Sequence, residues 1–264
     1  MSKYLDIVDQ RSLAISLVCI FVTWLCLRYN FSYDVDLIIF SIAIIFPLVF
    51  TIREAFRRRQ LAIRQLSSFK ASVSAFYFGL ENNNKLTMDE KLEIHNMMNA
   101  LSATFIEGLK FRGKSNISDV RMQLKKIYTF VDTNRKAISG SASLKLVRLV
   151  QDIQESLETL NGIRIHGTPV SLRAYCLVFI YILPFIFTPT LVFHLRGVHP
   201  DGLIYALSIL HGFILMSLYN LQEHIEDPFD QIGLDDIQLT EFQFLENQLP
   251  DTALKSRPVA DSSQ

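Results

Sequence analysis

Three large apolar side chains, Ile42, Phe46 and Phe50, recur every fourth residue and run directly into Arg53, Arg57, Arg58 and Arg59. On a helix, positions i, i+4 and i+8 stack along one stripe. If several copies of such a helix surround an axis, the stripe becomes a series of narrow apolar rings. Rings of that kind gate ion flow by dewetting. The same spacing also serves ordinary packing between membrane helices, and spacing alone leaves both readings open. The arginines have a plain role as a positive-inside anchor. A second role would be to concentrate anions beside the stripe.

Other chemistry is sparse. No HExxH, CxxC, GxSxG or phosphate-loop pattern occurs, and the six histidines are scattered. The sequence therefore offers no catalytic set, no cofactor and no metal site. His211 falls inside an apolar run, where a hydrogen bond to a neighbouring helix is expected. Cys19, Cys26 and Cys176 also sit in apolar runs and read as small buried side chains. Asp227, Asp230, Asp235 and Asp236 form an acidic stretch that Gln231-Ile232-Gly233-Leu234 interrupts. Helix capping and subunit contacts account for these acids better than an oxygen cage for calcium.

The elements that must carry the stripe follow from hydropathy. Half of the 264 residues are hydrophobic and a fifth are charged, with a net charge of zero and a mean hydropathy of +0.25. The apolar residues are thus gathered in blocks, as in a membrane protein with a substantial aqueous part. Four blocks stand out, at residues 12–27, 37–52, 174–195 and 202–222. The first two are short against the ~20 residues that cross hydrocarbon, and Trp24, Tyr29, Phe31 and Tyr33 extend them into the interface. A retained helical hairpin fits residues 12–52 better than a signal peptide, because no small-residue cleavage site follows. Pro47, Pro184 and Pro189 lie within spans and are expected to kink their helices.

Between the two hairpins the periodicity is helical. Thr87-x-x-Glu90 is a capping box opening a helix with Leu92, Ile94, Met97, Met98, Leu101 and Phe105 on its apolar face. A second helix is predicted from near Ser118, burying Val120, Met122, Leu124, Ile127 and Phe130. A third, after Ser141-Ala142-Ser143, carries Leu144, Leu146, Val147, Leu149, Val150, Ile153 and Leu157. Basic residues cluster at 53–64 and again at Arg164 and Arg173, whereas loops 28–36 and 196–201 carry little positive charge. The positive-inside rule then places the middle segment and both termini in the cytosol. The expected organisation is a first hairpin (1–52), a helical cytosolic domain (53–168), a second hairpin (169–222), an acidic post-membrane segment (223–248) and a disordered tail (249–264).

After the fourth span the chain reads Glu226-Asp227-Pro228-Phe229, preceded by Ile225 and followed by Asp236-Ile237-Gln238-Leu239. This resembles the bestrophin signature, an Asn/Asp-Pro-Phe and acidic stretch just past the last membrane helix. Thr168-Pro169, Tyr175 and Leu183-Pro184-Phe185 are similar to further family motifs. Ile42, Phe46 and Phe50 are spaced as in the family's neck. Arg58 matches the arginine of its Arg-Trp-Trp, with Arg59-Gln60 in place of the tryptophans, and Asp230 stands where a glycine is usual. The resemblance covers roughly residues 10 to 240. It implies an all-α membrane protein with four transmembrane helices and a helical cytosolic domain, assembled as a homopentamer around a central pore. The second helix would line the neck, and a second constriction would lie near residues 144–150. The implied activity is passive conduction of anions such as chloride across the cell membrane, with no enzyme chemistry. The partners are then other copies of the chain, the lipid bilayer and the permeating ions, with no nucleic acid. The alternatives are a cation-conducting channel of the same type and a non-conducting membrane scaffold or sensor.

Overall fold

The computed structural model describes residues 9–110, 117–231 and 236–244. Among these, eight α-helices follow in order: α1 (Gln10–Tyr29), α2 (Leu37–Glu81), α3 (Met88–Lys110), α4 (Ile117–Thr133), α5 (Arg135–Ile138), α6 (Gly140–Ile165), α7 (Val170–Leu195) and α8 (Asp201–Glu226). A single 3-10 turn, Leu239–Phe242, follows them. No strand occurs among the described residues. Among the described residues, four helical stretches are long and apolar enough to cross a membrane: α1, α2, α8 and a stretch ending at Leu195 that contains α7.

The chain divides into two compact units. The first takes in residues up to Gln60 and Gly167–Pro228, and so holds α1, the start of α2, α7 and α8. Its helices have well-made ends. The Asp9 carboxylate caps α1 by accepting from the Gln10 N–H at 2.6 Å. Asn30 closes α1 in the left-handed region, at φ 54°, with its N–H on the Cys26 carbonyl. Helices α1, α7 and α8 pack on one another, and polar contacts fix their register. Asn220 donates to the Ser12 hydroxyl at 3.1 Å, and the Thr188 and Ser208 hydroxyls meet at 2.8 Å. A polar group inside a bilayer needs such partners, because lipid supplies none. Cys19, Cys26 and Cys176 are buried free thiols, as expected. His211 departs from expectation: its ring stacks on Phe187 at 4.1 Å and 8°, and Nε2 has no hydrogen-bond partner. The flat face of the ring is satisfied by another ring rather than by a cross-helix hydrogen bond. Helix α2 runs unbroken through Pro47, and α7 through Pro184 and Pro189.

The second unit, Leu61–His166 with Phe229–Gln231 and Ile237 onward, has its own core. Leu66, Phe69, Phe76 and Tyr77 of α2 meet Ile94, Met98 and Leu101 of α3 and Val150, Ile153 and Leu157 of α6. The capping box forms as read: the Thr87 N–H donates to Glu90 Oε2 at 2.7 Å, and the Glu90 N–H donates back to Thr87 Oγ1 at 3.3 Å. The Phe244 N–H donates to Ser102 Oγ at 2.9 Å, and its ring packs edge-on against Tyr77 and His95. Burial, with Glu81 as the lesser cause, pushes the Tyr77 phenol up to about 12.

Three expectations are corrected. Leu92, Met122 and Leu144 are not in the core but 45%, 59% and 69% exposed. Helix α6 begins at Gly140, so Ser141-Ala142-Ser143 lies inside it rather than before it. The helix carrying the stripe does not end near residue 52 but continues for another 29 residues, to Glu81. The tail from residue 249 lies outside the described residues.

The tightest approach in the first unit is at Gly212, where an added Cβ would sit 2.7 Å from Cys19 Sγ and 3.3 Å from Ile15 Cγ1. Gly212→Ala should force α1 and α8 apart and destabilise the protein by about 1–3 kcal/mol, the usual range for overpacking. Thermal melting in detergent measures the loss. The double variant with Cys19→Ala should recover most of it, and no recovery would mean that the sulfur is not the obstacle.

Candidate functional site

Helix α2 has two unlike sides. A helix turns roughly 100° per residue, which puts Ile44, Leu48, Thr51 and Ala55 on one side, and all four are buried. Ile42, Phe46 and Phe50 fall on the opposite side and are 56%, 60% and 53% exposed. The Phe46 and Phe50 rings meet edge-on, with centroids 5.1 Å apart at 71°. This geometry suits the aromatic quadrupole and holds both rings in one stripe. Of the four apolar stretches, the one in α2 is the least covered by its own chain, at 17% against 33–44% for the others.

The same periodicity separates the arginines. Arg53 and Arg57 are exposed and continue the stripe. Arg58 falls instead on the buried side, where its side chain is only 13% exposed and Nη1 lies 3.9 Å from Glu226 Oε1. Arg59 is half-buried. The basic cluster is therefore two groups with different surroundings.

Glu226 is the last residue of α8 and is 3% exposed. Its carboxylate accepts from the Thr168 N–H at 2.9 Å, from Gln222 Nε2 at 2.9 Å and from Arg173 Nη1 at 3.3 Å. A helix C-terminus carries partial negative charge, which disfavours a carboxylate there. Two guanidinium groups and a main-chain N–H offset that penalty and the desolvation of the charge. The stretch before α7 is shaped for the contact. Pro169 caps the helix start, which leaves the Thr168 N–H outside the helical ladder. Gly167 has no Cβ, and an added one would lie 2.5 Å from Glu226 Oε1.

The other residues singled out by sequence are placed as follows. Asp227 is buried and ends α8, Pro228 is buried, and Phe229 is fully buried in the core of the second unit. The Tyr175 hydroxyl donates to the Ala43 carbonyl at 3.3 Å, joining α7 to α2. Leu183 and Pro184 are buried, and Phe185 is exposed with its carbonyl accepting from the Tyr33 hydroxyl at 2.8 Å. Residues 232–235 of the acidic stretch lie outside the described residues. Among the described residues, no three His, Cys, Asp or Glu side chains group so as to hold a metal ion. Sequence reading missed Gly167, Arg173 and Gln222 as partners of Glu226. Their only signal is the placement of Gly-Thr-Pro at a helix start, with a Gln one turn before the Glu.

No protein-family model and no curated protein matches the sequence. Solved structures do match. A bacterial bestrophin homologue from Klebsiella pneumoniae superposes with a TM-score of 0.72 at 16% identity, covering 88% of this chain and 93% of its own. Two single-residue variants of that homologue superpose at 0.71 with 17% identity and at 0.68 with 16% identity. The second of these covers 92% of this chain and 95% of its own. The chain carries the bestrophin fold. The likeness read from Glu226-Asp227-Pro228-Phe229 is thus matched by backbone similarity over most of the chain. Within that bestrophin fold, the buried carboxylate and the exposed stripe are the two features with defined chemistry.

Glu226→Ala removes the buried carboxylate to which Arg173, Thr168 and Gln222 donate and should cost about 3–5 kcal/mol. Glu226→Gln keeps the shape and the Thr168 contact and should lose less. Gly167→Ala should resemble Glu226→Ala in melting temperature, since the added methyl displaces the same carboxylate. If all three variants melt like the parent protein, the site does not hold these segments together.

Proposed function

We propose that this protein is an ion channel of the bestrophin type, a homopentamer in the cell membrane with one central pore and both termini cytosolic. The observation that carries the reading is the division of α2. Its uncharged stripe of Ile42, Phe46 and Phe50 points away from the residues that its own chain buries. Five copies turned so that these stripes share an axis would stack three apolar rings into a neck. Such a constriction is closed when dry and conducts when wetted. Phenyl edges carry the positive end of the ring quadrupole, so the neck would favour an anion such as chloride without a fixed charge. Arg53 and Arg57, exposed just beyond Phe50, would raise the local anion concentration. The segment from Arg53 to Thr168 would then form the cytosolic vestibule, and Glu226 would hold the base of the membrane part. The shared backbone fold and the partial family motifs support the same reading.

Purified protein in liposomes should pass ions, and under a salt gradient the reversal potential should move towards the anion equilibrium. Movement towards the cation equilibrium would keep the channel and reverse its selectivity. Phe46→Ala and Phe50→Ala should each widen the neck and raise flux; gating and ion preference unchanged in both would sink the neck assignment. Replacing Arg53 and Arg57 with Ala should lower anion conductance more at about 0.01 M salt than at about 1 M, where charges are screened within a few ångströms.

A further inference from the structure

Helices α4, α5 and the first turns of α6 border an open concavity of about 500 Å³ in the second unit. That volume falls in the range of small-molecule sites, ~300–1,000 Å³. Its deepest residues are Val131 and Ser143, both buried, with Tyr128 and Val147 half-buried beside them. Exposed Leu144 extends the apolar wall, and Thr129 adds a hydroxyl. Two exposed cations, Lys125 and Arg135, lie on the lining with one carboxylate, Asp132.

What sets this hollow apart is that two cations share its lining with apolar side chains. Some cations of the same unit are engaged elsewhere. Arg121 holds Glu158 through two 2.7 Å hydrogen bonds, Lys110 pairs with Glu107 at 3.0 Å, and Lys70 donates to the Glu241 carbonyl at 2.6 Å. Among the described residues, Lys125 and Arg135 pair with no carboxylate, not even Asp132 on the same lining. Two cations less one anion leave a net charge of +1 around a partly apolar cleft. A planar guanidinium matches a carboxylate through two parallel hydrogen bonds. The Tyr128 phenol is protonated at neutral pH, as any phenol is, and its O–H can donate. Asp132 disfavours a dianion.

We propose that this concavity binds a small organic carboxylate, a monoanion with an apolar body, its charge held between Arg135 and Lys125. The body lies against Leu144, Val147 and Val131. The site belongs to the second unit alone and does not depend on what crosses the membrane part.

The test uses the full-length protein in detergent with 4-fluorobenzoate as the probe, followed by fluorine NMR. Binding should be saturable. Arg135→Ala and Leu144→Glu, both at exposed positions, should each weaken it by about tenfold, the first by removing a charge-assisted hydrogen bond and the second by placing a like charge against the anion. Inorganic phosphate should compete poorly. Three results overturn the proposal: no saturable binding to the parent protein, equal binding by both variants, or phosphate displacing the probe as well as benzoate does. The last would reduce the hollow to a charged patch.

Discussion

A carboxylate shut away from water at the negative end of a helix must be compensated locally, and Glu226 is in that position at the end of α8. The compensation comes from three places in the chain: Arg58 on α2, Thr168 and Arg173 at the start of α7, and Gln222 one turn back on α8. The first unit therefore has the chain's departure near Arg58, its return at Gly167 and its second departure after Glu226 joined at one charge. Several local features follow from that constraint. Gly167 is bare because the carboxylate occupies the place of a Cβ. Arg58 turns inward while its neighbour Arg57 turns out. A buried ion pair of this kind adds little net stability over an apolar replacement, yet is costly to break on one side.

The same periodicity that sends Arg58 inward releases the stripe. A helix whose buried side reads Ile44, Leu48, Thr51 and Ala55 has to offer the opposite side to something else. Lipid would accept Ile42, Phe46 and Phe50 as readily as a protein neighbour would, since hydrocarbon is as apolar as they are. Arg53 and Arg57 change the balance. They lie on the stripe within two turns of Phe50 and need water or an anion rather than acyl chains. An apolar-to-basic stripe of that kind suits a water-filled vestibule beneath a dry neck, the arrangement proposed above.

Much of this was legible in the sequence, and the misses share causes. The four apolar blocks, the capping box at Thr87 and Glu90 and the Asp-Pro-Phe motif lead to the correct fold. The apolar run of α2 stops at residue 52 because Arg53–Arg64 marks a change of solvent, and a change of solvent is not a helix end. No Gly or Pro occurs between Pro47 and Gly79 to stop it. Leu92, Met122 and Leu144 share one feature: each lies two positions from a residue that is buried, Ile94, Leu124 and Leu146. Residues two apart on a helix do not share a face. The Glu226 partners were invisible for another reason. Arg173 is 53 residues away, and no local pattern says which guanidinium a distant carboxylate will meet.

Within the first unit the helices are not held alike. Helices α1, α7 and α8 are locked by the Gly212–Cys19 approach, the Asn220–Ser12 hydrogen bond and the Thr188–Ser208 pair. Small residues and satisfied polar groups allow backbones to close up, and such contacts fix one register. Helix α2 joins them mainly through long side chains, Ile44 and Leu48, with one hydroxyl from Tyr175 on the Ala43 carbonyl. Sliding or tilting α2 would disturb aliphatic packing that re-forms at small cost, whereas moving any of the other three breaks hydrogen bonds that lipid cannot replace. Regions with little buried packing are where local rearrangement is least expensive. Within the first unit, the helix that carries the candidate neck is thus the one held chiefly by aliphatic packing, with Arg58 near Glu226 as its charged contact.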